Sequence, residues 1–182
     1  GFDEIYAQEN YPSEKVVNSF GVQDDFMYQY ALPILNERAG TGNPFFSVLL
    51  SISNHPPYVI PPYFHPHSDV LEEQIVEYAD WSIRQFMQAA EKQPWFDNTI
   101  FVFLGDHGKM VGTPECEMPQ SYNHIPLMIY GKDIKPGVYD GFGGQVDVSP
   151  TLLGLLNISY LQNNFGVNLL EEERPCMFFT AD

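Results

Sequence analysis

The chain has 182 residues, with 24 Asp and Glu against 8 Lys and Arg, a formal charge of −16 and 44% hydrophobic residues. That length supports one globular domain with a real core, and the acidic excess excludes a protein held to nucleic acid by counterion release, because the cations are scattered and form no basic run. The longest apolar runs, around Phe45–Leu50 and Thr99–Leu104, are far shorter than the ~20 residues of a membrane-spanning helix.

The chain opens on Gly1-Phe2 with neither an initiator Met nor a signal peptide, which predicts a trimmed or partial chain. Residues up to Gly21 are polar and acidic. A helix is predicted from Asp24, as its cap, to about Arg38, closing near Gly40 and kinked or broken at Pro33. Phe45-Phe46-Ser47-Val48-Leu49-Leu50 reads as a buried strand, and the proline-dense stretch from Asn54 to His67 as a loop. Asp69 with Glu72 resembles a capping box. Leu71, Ile75, Tyr78, Ala79, Phe86, Met87 and Ala90 then fall close to one face at helical spacing, the strongest helix signal in the chain. Thr99–Leu104 is a second apolar strand that stops at Gly105-Asp106-His107-Gly108, and Ile125–Tyr130 a third. Apolar strands around a helix predict that all three strands lie in one parallel sheet covered on both faces. Ser149 is expected to cap a short helix, Thr151–Leu156, with Pro150 in its first turn, and Cys176–Thr180 is the last predicted strand. Cys116 and Cys176 are too few for a disulfide scaffold and leave both pairing and compartment open.

Ligands of open parallel sheets gather at the carboxyl ends of strands, because the loops there face one crevice. Asn54-His55, Asp106-His107 and His124 stand at strand boundaries. Between Gly105 and Gly108 the backbone can turn sharply, so the Asp106 carboxylate and the His107 imidazole can converge on one cation of zinc or manganese type. The same residues also suit a turn-capping Asp and a hydrogen-bonded loop His. Lys109 stands beside the motif as a substrate contact or a solvated loop lysine. His65 and His67, around Pro66, read as solvent-facing or as a surface metal clip, Asp147 as a residue that bonds backbone amides in its turn or as a catalytic group, and Asn157 as a helix-closing cap whose sequence also fits the glycosylation pattern.

The strings Phe103-Leu104-Gly105-Asp106-His107-Gly108, Asn123-His124-Ile125-Pro126-Leu127-Met128-Ile129-Tyr130-Gly131 and Val146-Asp147-Val148-Ser149-Pro150-Thr151 resemble the sulfatase branch of the alkaline-phosphatase superfamily. Gly21-Val22-Gln23-Asp24-Asp25, Asn43-Pro44-Phe45-Phe46 and Ser53-Asn54-His55-Pro56-Pro57-Tyr58 narrow the resemblance to the lipoteichoic-acid-synthase-like group of phosphoglycerol transferases. The resemblance implies a three-layer α/β sandwich with a mostly parallel central sheet, of which residues 1–182 would be the C-terminal part of the catalytic domain. It implies a divalent metal, manganese or zinc, with Asp106 and His107 as ligands. It makes His55 and His124 catalytic and substrate-binding residues.

By the same resemblance, a Thr nucleophile and an acidic ligand are expected in segments preceding Gly1. The implied substrate is a phosphoester carrying phosphoglycerol or phosphoethanolamine, in some cases lipid-linked. The implied location is the extracytoplasmic face of a bacterial membrane, reached only through segments outside this chain. A sulfatase acting on sulfate esters is the nearest alternative. A non-catalytic binding domain that retains the fold is the other.

Overall fold

In the computed structural model, residues 1–109 and 123–176 are described, and the chain divides into two compact units, Gly1–Thr99 and Ile100–Asp182.

The first unit is built on two helices. After the short antiparallel strands β1 (Val16–Asn18) and β2 (Gly21–Val22), helix α1 runs over Asp24–Gly40 and helix α2 over Leu71–Ala90. Ile75, Tyr78, Ser82, Phe86 and Ala90 form the buried stripe of α2, three or four residues apart as an amphipathic helix requires. They meet Met27, Tyr28, Ala31 and Leu35 of α1. The rings of Tyr28 and Phe86 stack with centroids 5.0 Å apart, and Trp95 Nε1 donates to Asn36 Oδ1 at 2.6 Å, tying the segment after α2 back onto α1. Truncating Ile75, which is fully buried, to Ala would cost about 2–5 kcal/mol through lost transfer energy and the cavity left behind.

Three local expectations need correction in this unit. Helix α1 does not break at Pro33 but continues through it. The carbonyl that Pro33 leaves without its helical donor is that of Gln29, and Gln29 and Pro33 both lie on the exposed side, where solvent has access to it. Asp24 is not the cap. Gln23 occupies that position, and the Asp24 side chain is turned inward, 2% exposed. The start of α2 is not secured by an Asp69 capping box either: its cap position is Val70, with no side-chain cap bond. Ser68 instead accepts the Val70 amide at 3.0 Å and donates to Glu73, while Glu77 takes the amides of His67 and Ser68 at 2.7 and 3.0 Å.

The fourth correction is the largest. Phe45–Leu50 forms no strand and is not buried: Phe46 and Leu50 are each 74% exposed, and residues 44–51 make no backbone–backbone hydrogen bond among the described residues. The apolar run states a demand for burial, but a strand also needs a neighbour for its ladder, and the described residues of this unit provide none.

The second unit pairs strand β3 (Phe101–Leu104) with strand β4 (Leu127–Tyr130), Leu104 opposite Leu127 and Phe101 opposite Tyr130. The pairing is antiparallel, not parallel as expected. Continuous apolar runs report burial on two faces and carry no information about direction. Gly105 N–H extends the ladder by donating to the Pro126 carbonyl at 3.2 Å.

Helix α3 covers Gln145–Leu155, so it begins six residues before the expected Thr151, and Ser149 and Pro150 lie inside it. Its true start is at Gly144, whose amide donates back to Asp147 Oδ2 at 2.9 Å. Pro150 cannot donate to Val146, and Gly166 packs against that freed carbonyl so closely that a Cβ there would lie 2.0 Å from the oxygen. Asn157, at φ 52°, closes α3. The Asn157 and Ile158 amides reach the Gly154 and Leu153 carbonyls, a Schellman ending with Asn in the left-handed position.

Asp147 bonds backbone amides as its sequence context suggested, and it does more. Fully buried, it accepts from Val167 N at 2.8 Å and receives a two-pronged contact from Arg174, through Nε at 2.9 Å and through Nη2. Burial works to raise its carboxyl, but the Arg174 guanidinium and the Val167 and Gly144 amides outweigh burial and hold it below the ordinary aspartate value. Cys176 is exposed; Cys116 and all but the first residue of the expected strand Cys176–Thr180 lie outside the described residues. No helix among the described residues is long and apolar enough to cross a membrane.

Candidate functional site

The residues singled out by sequence divide between the two units. His55 belongs to the first, and Asp106, His107, Lys109 and His124 to the second. Each group is built on its own scaffold.

In the second unit, β3 ends at Leu104 and delivers Asp106 and His107 into an exposed loop. Since Leu104 faces Leu127 across the ladder, the exit of β3 and the entry of β4 share one end of the pair. That end carries Asp106 and His107 on one side and exposed His124, three residues before β4, on the other. His107 Nδ1 lies 2.7 Å from the Gly108 carbonyl oxygen. A carbonyl only accepts, so Nδ1 carries the proton and Nε2 keeps its lone pair. Nε2 lies 3.8 Å from Asp106 Oδ2, a separation that two ligands of one cation can span with bonds of about 2.0–2.2 Å. The other carboxylate oxygen, Oδ1, accepts the His107 amide at 2.9 Å and fixes the turn.

The donor set therefore fits a divalent transition-metal ion as a pair of ligands. Among the described residues no third His, Cys, Asp or Glu joins them. Lys109 is exposed two residues further along the same loop.

Gln145, the first residue of α3, was not anticipated from sequence. Its side-chain amide donates to the Gly105 carbonyl at 3.1 Å and to the Asp106 carbonyl at 2.7 Å, pinning the turn that carries the candidate ligands. A lone Gln before Val146-Asp147 gives no local signal of this role, because its partners lie about forty residues earlier.

In the first unit, His55 closes a turn in which its amide donates to the Ile52 carbonyl at 3.0 Å. Its Nδ1 lies 2.7 Å from the Pro56 carbonyl oxygen, which again assigns the proton to Nδ1 and leaves Nε2 to accept or, when protonated, to donate. The Phe20 ring, from the β1–β2 turn, packs against the imidazole at 4.0 Å between centroids.

Three consecutive side chains at the start of α1 hold the loop from Ile52 to Tyr63. Gln23 Nε2 donates to the Val59 carbonyl at 2.9 Å. Asp24 Oδ1 accepts the amides of Ile52 and Ser53, each at 2.9 Å. Asp25 accepts the Tyr63 and Tyr78 hydroxyls. Burial and the Asp25 carboxylate push the Tyr63 phenol up to about 12, and the same two causes raise that of Tyr78. Neither His65 nor His67 belongs to a metal cluster among the described residues, and His67 Nδ1 pairs with Glu77 at 3.1 Å.

Comparison with known proteins identifies the class to which a chain with these motifs belongs. The Sulfatase family model matches residues 1–158, so the chain belongs to the sulfatase family. Within it, this is a lipoteichoic-acid-synthase-like domain of the alkaline-phosphatase superfamily. Lipoteichoic acid synthase 1 of Bacillus subtilis is 25% identical over 204 residues, covering 95% of this chain and 30% of that protein. The lipoteichoic acid synthase of Staphylococcus aureus is 23% identical over 209 residues, covering 94% and 30%. The chain thus spans about 30% of the length of these relatives.

Two crystal structures share the fold. A protein of the alkaline-phosphatase superfamily from Vibrio parahaemolyticus superposes with a TM-score of 0.82 at 31% identity, over 97% of this chain and 43% of that one. A lipoteichoic acid synthase from Listeria monocytogenes gives 0.76 at 28%, over 93% and 48%. The expected α/β class of the superfamily stands, although the one ladder described in the second unit is antiparallel.

Proposed function

We propose that the chain is the C-terminal part of a metal-dependent catalytic domain that transfers or hydrolyses phosphoesters, with lipid-linked phosphoglycerol or phosphoethanolamine as the substrate class. The observation that carries this reading is the His107 imidazole, its Nδ1 proton committed to the Gly108 carbonyl and its Nε2 3.8 Å from Asp106 Oδ2. The lipoteichoic acid synthases among its relatives favour phosphoester over sulfate-ester chemistry.

Asp106 and His107 would hold the cation, manganese or zinc. When bound, such an ion supplies Lewis-acid neutralisation of phosphoryl charge. His55 of the first unit and His124 of the second are, each on its own scaffold, the groups assigned to substrate contact: a neutral imidazole with the proton on Nδ1, as in His55, can accept a proton at Nε2, and once charged it can give that proton to a leaving oxygen. Lys109 offers a further positive charge, which an acidic chain needs if it is to attract an anionic ester. The site works at the extracytoplasmic face of a membrane.

The test is head-group release by the full-length protein from vesicles of phosphatidylglycerol or phosphatidylethanolamine, with an aryl sulfate as comparator. Metal-dependent turnover of a phospholipid, abolished in His107→Ala, is expected. Turnover of the sulfate ester alone would replace this reading with a sulfatase, and turnover of neither with a binding domain.

A further inference from the structure

Asp24 is buried, and α1 has no use for its charge as a cap. Its carboxylate is committed elsewhere: one oxygen accepts two successive amides of the loop, Ile52 and Ser53. The loop answers in kind. Ser53 Oγ accepts the Asp24 amide at 3.1 Å and donates to Gln23 Oε1 at 3.2 Å. Ile52 is also the residue whose carbonyl closes the turn onto His55. The path from Asp24 to the imidazole is therefore short and rigid: carboxylate to the Ile52 and Ser53 amides, turn to the His55 amide, and His55 Nδ1 to Pro56. Ionised acceptors make amide hydrogen bonds roughly twice as strong as neutral ones, and burial removes competing water.

We propose that Asp24 is a positioning residue for His55, setting the direction in which Nε2 points while touching no substrate itself. The inference rests on the phosphoester reading only in taking His55 as the group that needs aiming. It accounts for a buried carboxylate at a helix start that makes no cap bond.

The test has two arms. With histidine labelled by 15N, the ring nitrogens of His55 in this chain should report a single tautomer, protonated at Nδ1. Asp24→Ala should move them toward the averaged values of a free imidazole, with the His107 and His124 rings unmoved. Asp24→Asn, which keeps an acceptor oxygen, should restore most of the parent signature. Unchanged His55 signals in folded Asp24→Ala would overturn the proposal. Should Asp24→Ala fail to fold, Ser53→Ala takes its place: a smaller shift at His55 supports the proposal and no shift overturns it.

In the full-length protein, Asp24→Ala should lower kcat by about 10²-fold, the scale of a misplaced reacting group, with KM changed less than about twofold. Added to His55→Ala it should cost less than about twofold more, since residues acting as one unit are not additive. A full further loss would overturn the proposal. If His55→Ala itself leaves turnover intact, the role assigned to His55 in the phosphoester reading fails, and the ring-nitrogen arm still decides whether Asp24 aims the imidazole.

Discussion

The two units solve one problem twice, with opposite chemistry. In each, a histidine sits on an exposed loop with Nδ1 against the carbonyl of the next residue, and in each the first residue of a helix reaches across to hold that loop. Asp24 of α1 offers a carboxylate and collects amides; Gln145 of α3 offers an amide and collects carbonyls. Asp24 is buried and Gln145 exposed. The lesson is that a polar anchor is worth what its surroundings make it. The buried anion competes with little water and the exposed amide with much, so the first loop should be held more tightly than the second.

The largest expected effect falls on the proposed ligands, Asp106 and His107. In the full-length protein, Asp106→Ala or His107→Ala should lower turnover on the order of 10³-fold, as losing an electrostatic stabiliser of the transition state does, and excess manganese should not restore it. The comparison breaks if either variant stays active. Next is Arg174→Ala, which strips the guanidinium from buried Asp147 and should destabilise the second unit by about 3 kcal/mol, measured by denaturant unfolding. His55→Ala should cost about 10²-fold in kcat, the range of a lost acid–base group, with metal content unchanged by elemental analysis. Gln145→Ala, a change at an exposed residue supporting the ligands, should weaken metal binding by about 10-fold. A Gln145 effect larger than that of Asp24→Ala would reverse the ranking of the two anchors.

The units should also fail at opposite ends of the pH scale. Asp147 is held below 3.8 in the fold, so its contribution is present above that ordinary value and is lost as pH falls through the lowered one. Tyr28, pushed up to about 12 by burial and the Asp24 charge, acts in reverse. Its contribution is complete below pH 10 and is lost as pH rises toward 12. Glu77 of the first unit is lowered too, by the His67 amide first, but that contact is at the surface and is worth little. Both tryptophans, Trp81 and Trp95, lie in the first unit. Tryptophan fluorescence should therefore change first in alkali, whereas in acid circular dichroism should change before fluorescence.

What was legible in the sequence was whatever local periodicity or local chemistry controls. The buried stripe of α2 followed from spacing, and the amide bonds of Asp147 from its turn. Asp106-His107 stood out because glycines bracket it. What was not legible depends on partners distant in sequence. Asp24 has the local signature of a cap, and only the Ile52 and Ser53 amides, 28 and 29 residues on, show that its charge is used elsewhere. The start of α3 was hidden because Ser149-Pro150 is a good opening, yet Asp147 receives the Gly144 amide and opens the helix a turn and a half sooner. Strand direction was not encoded in the apolar runs at all, and Gln145 carries no local mark.

One consequence concerns handling of the protein in solution. The run Phe45–Leu50 combines large exposed apolar side chains with a backbone that makes no backbone–backbone bonds among the described residues, which is the makeup of an adhesive strand edge. No lysine, arginine, aspartate or glutamate lies within it to act as a gatekeeper. At neutral pH the formal charge of −16 keeps copies apart by repulsion. Near the isoelectric point of about 4.4 that repulsion vanishes. Turbidity should then rise in that window, protein concentration should set its onset, and Val48→Lys or Phe46→Lys should delay it.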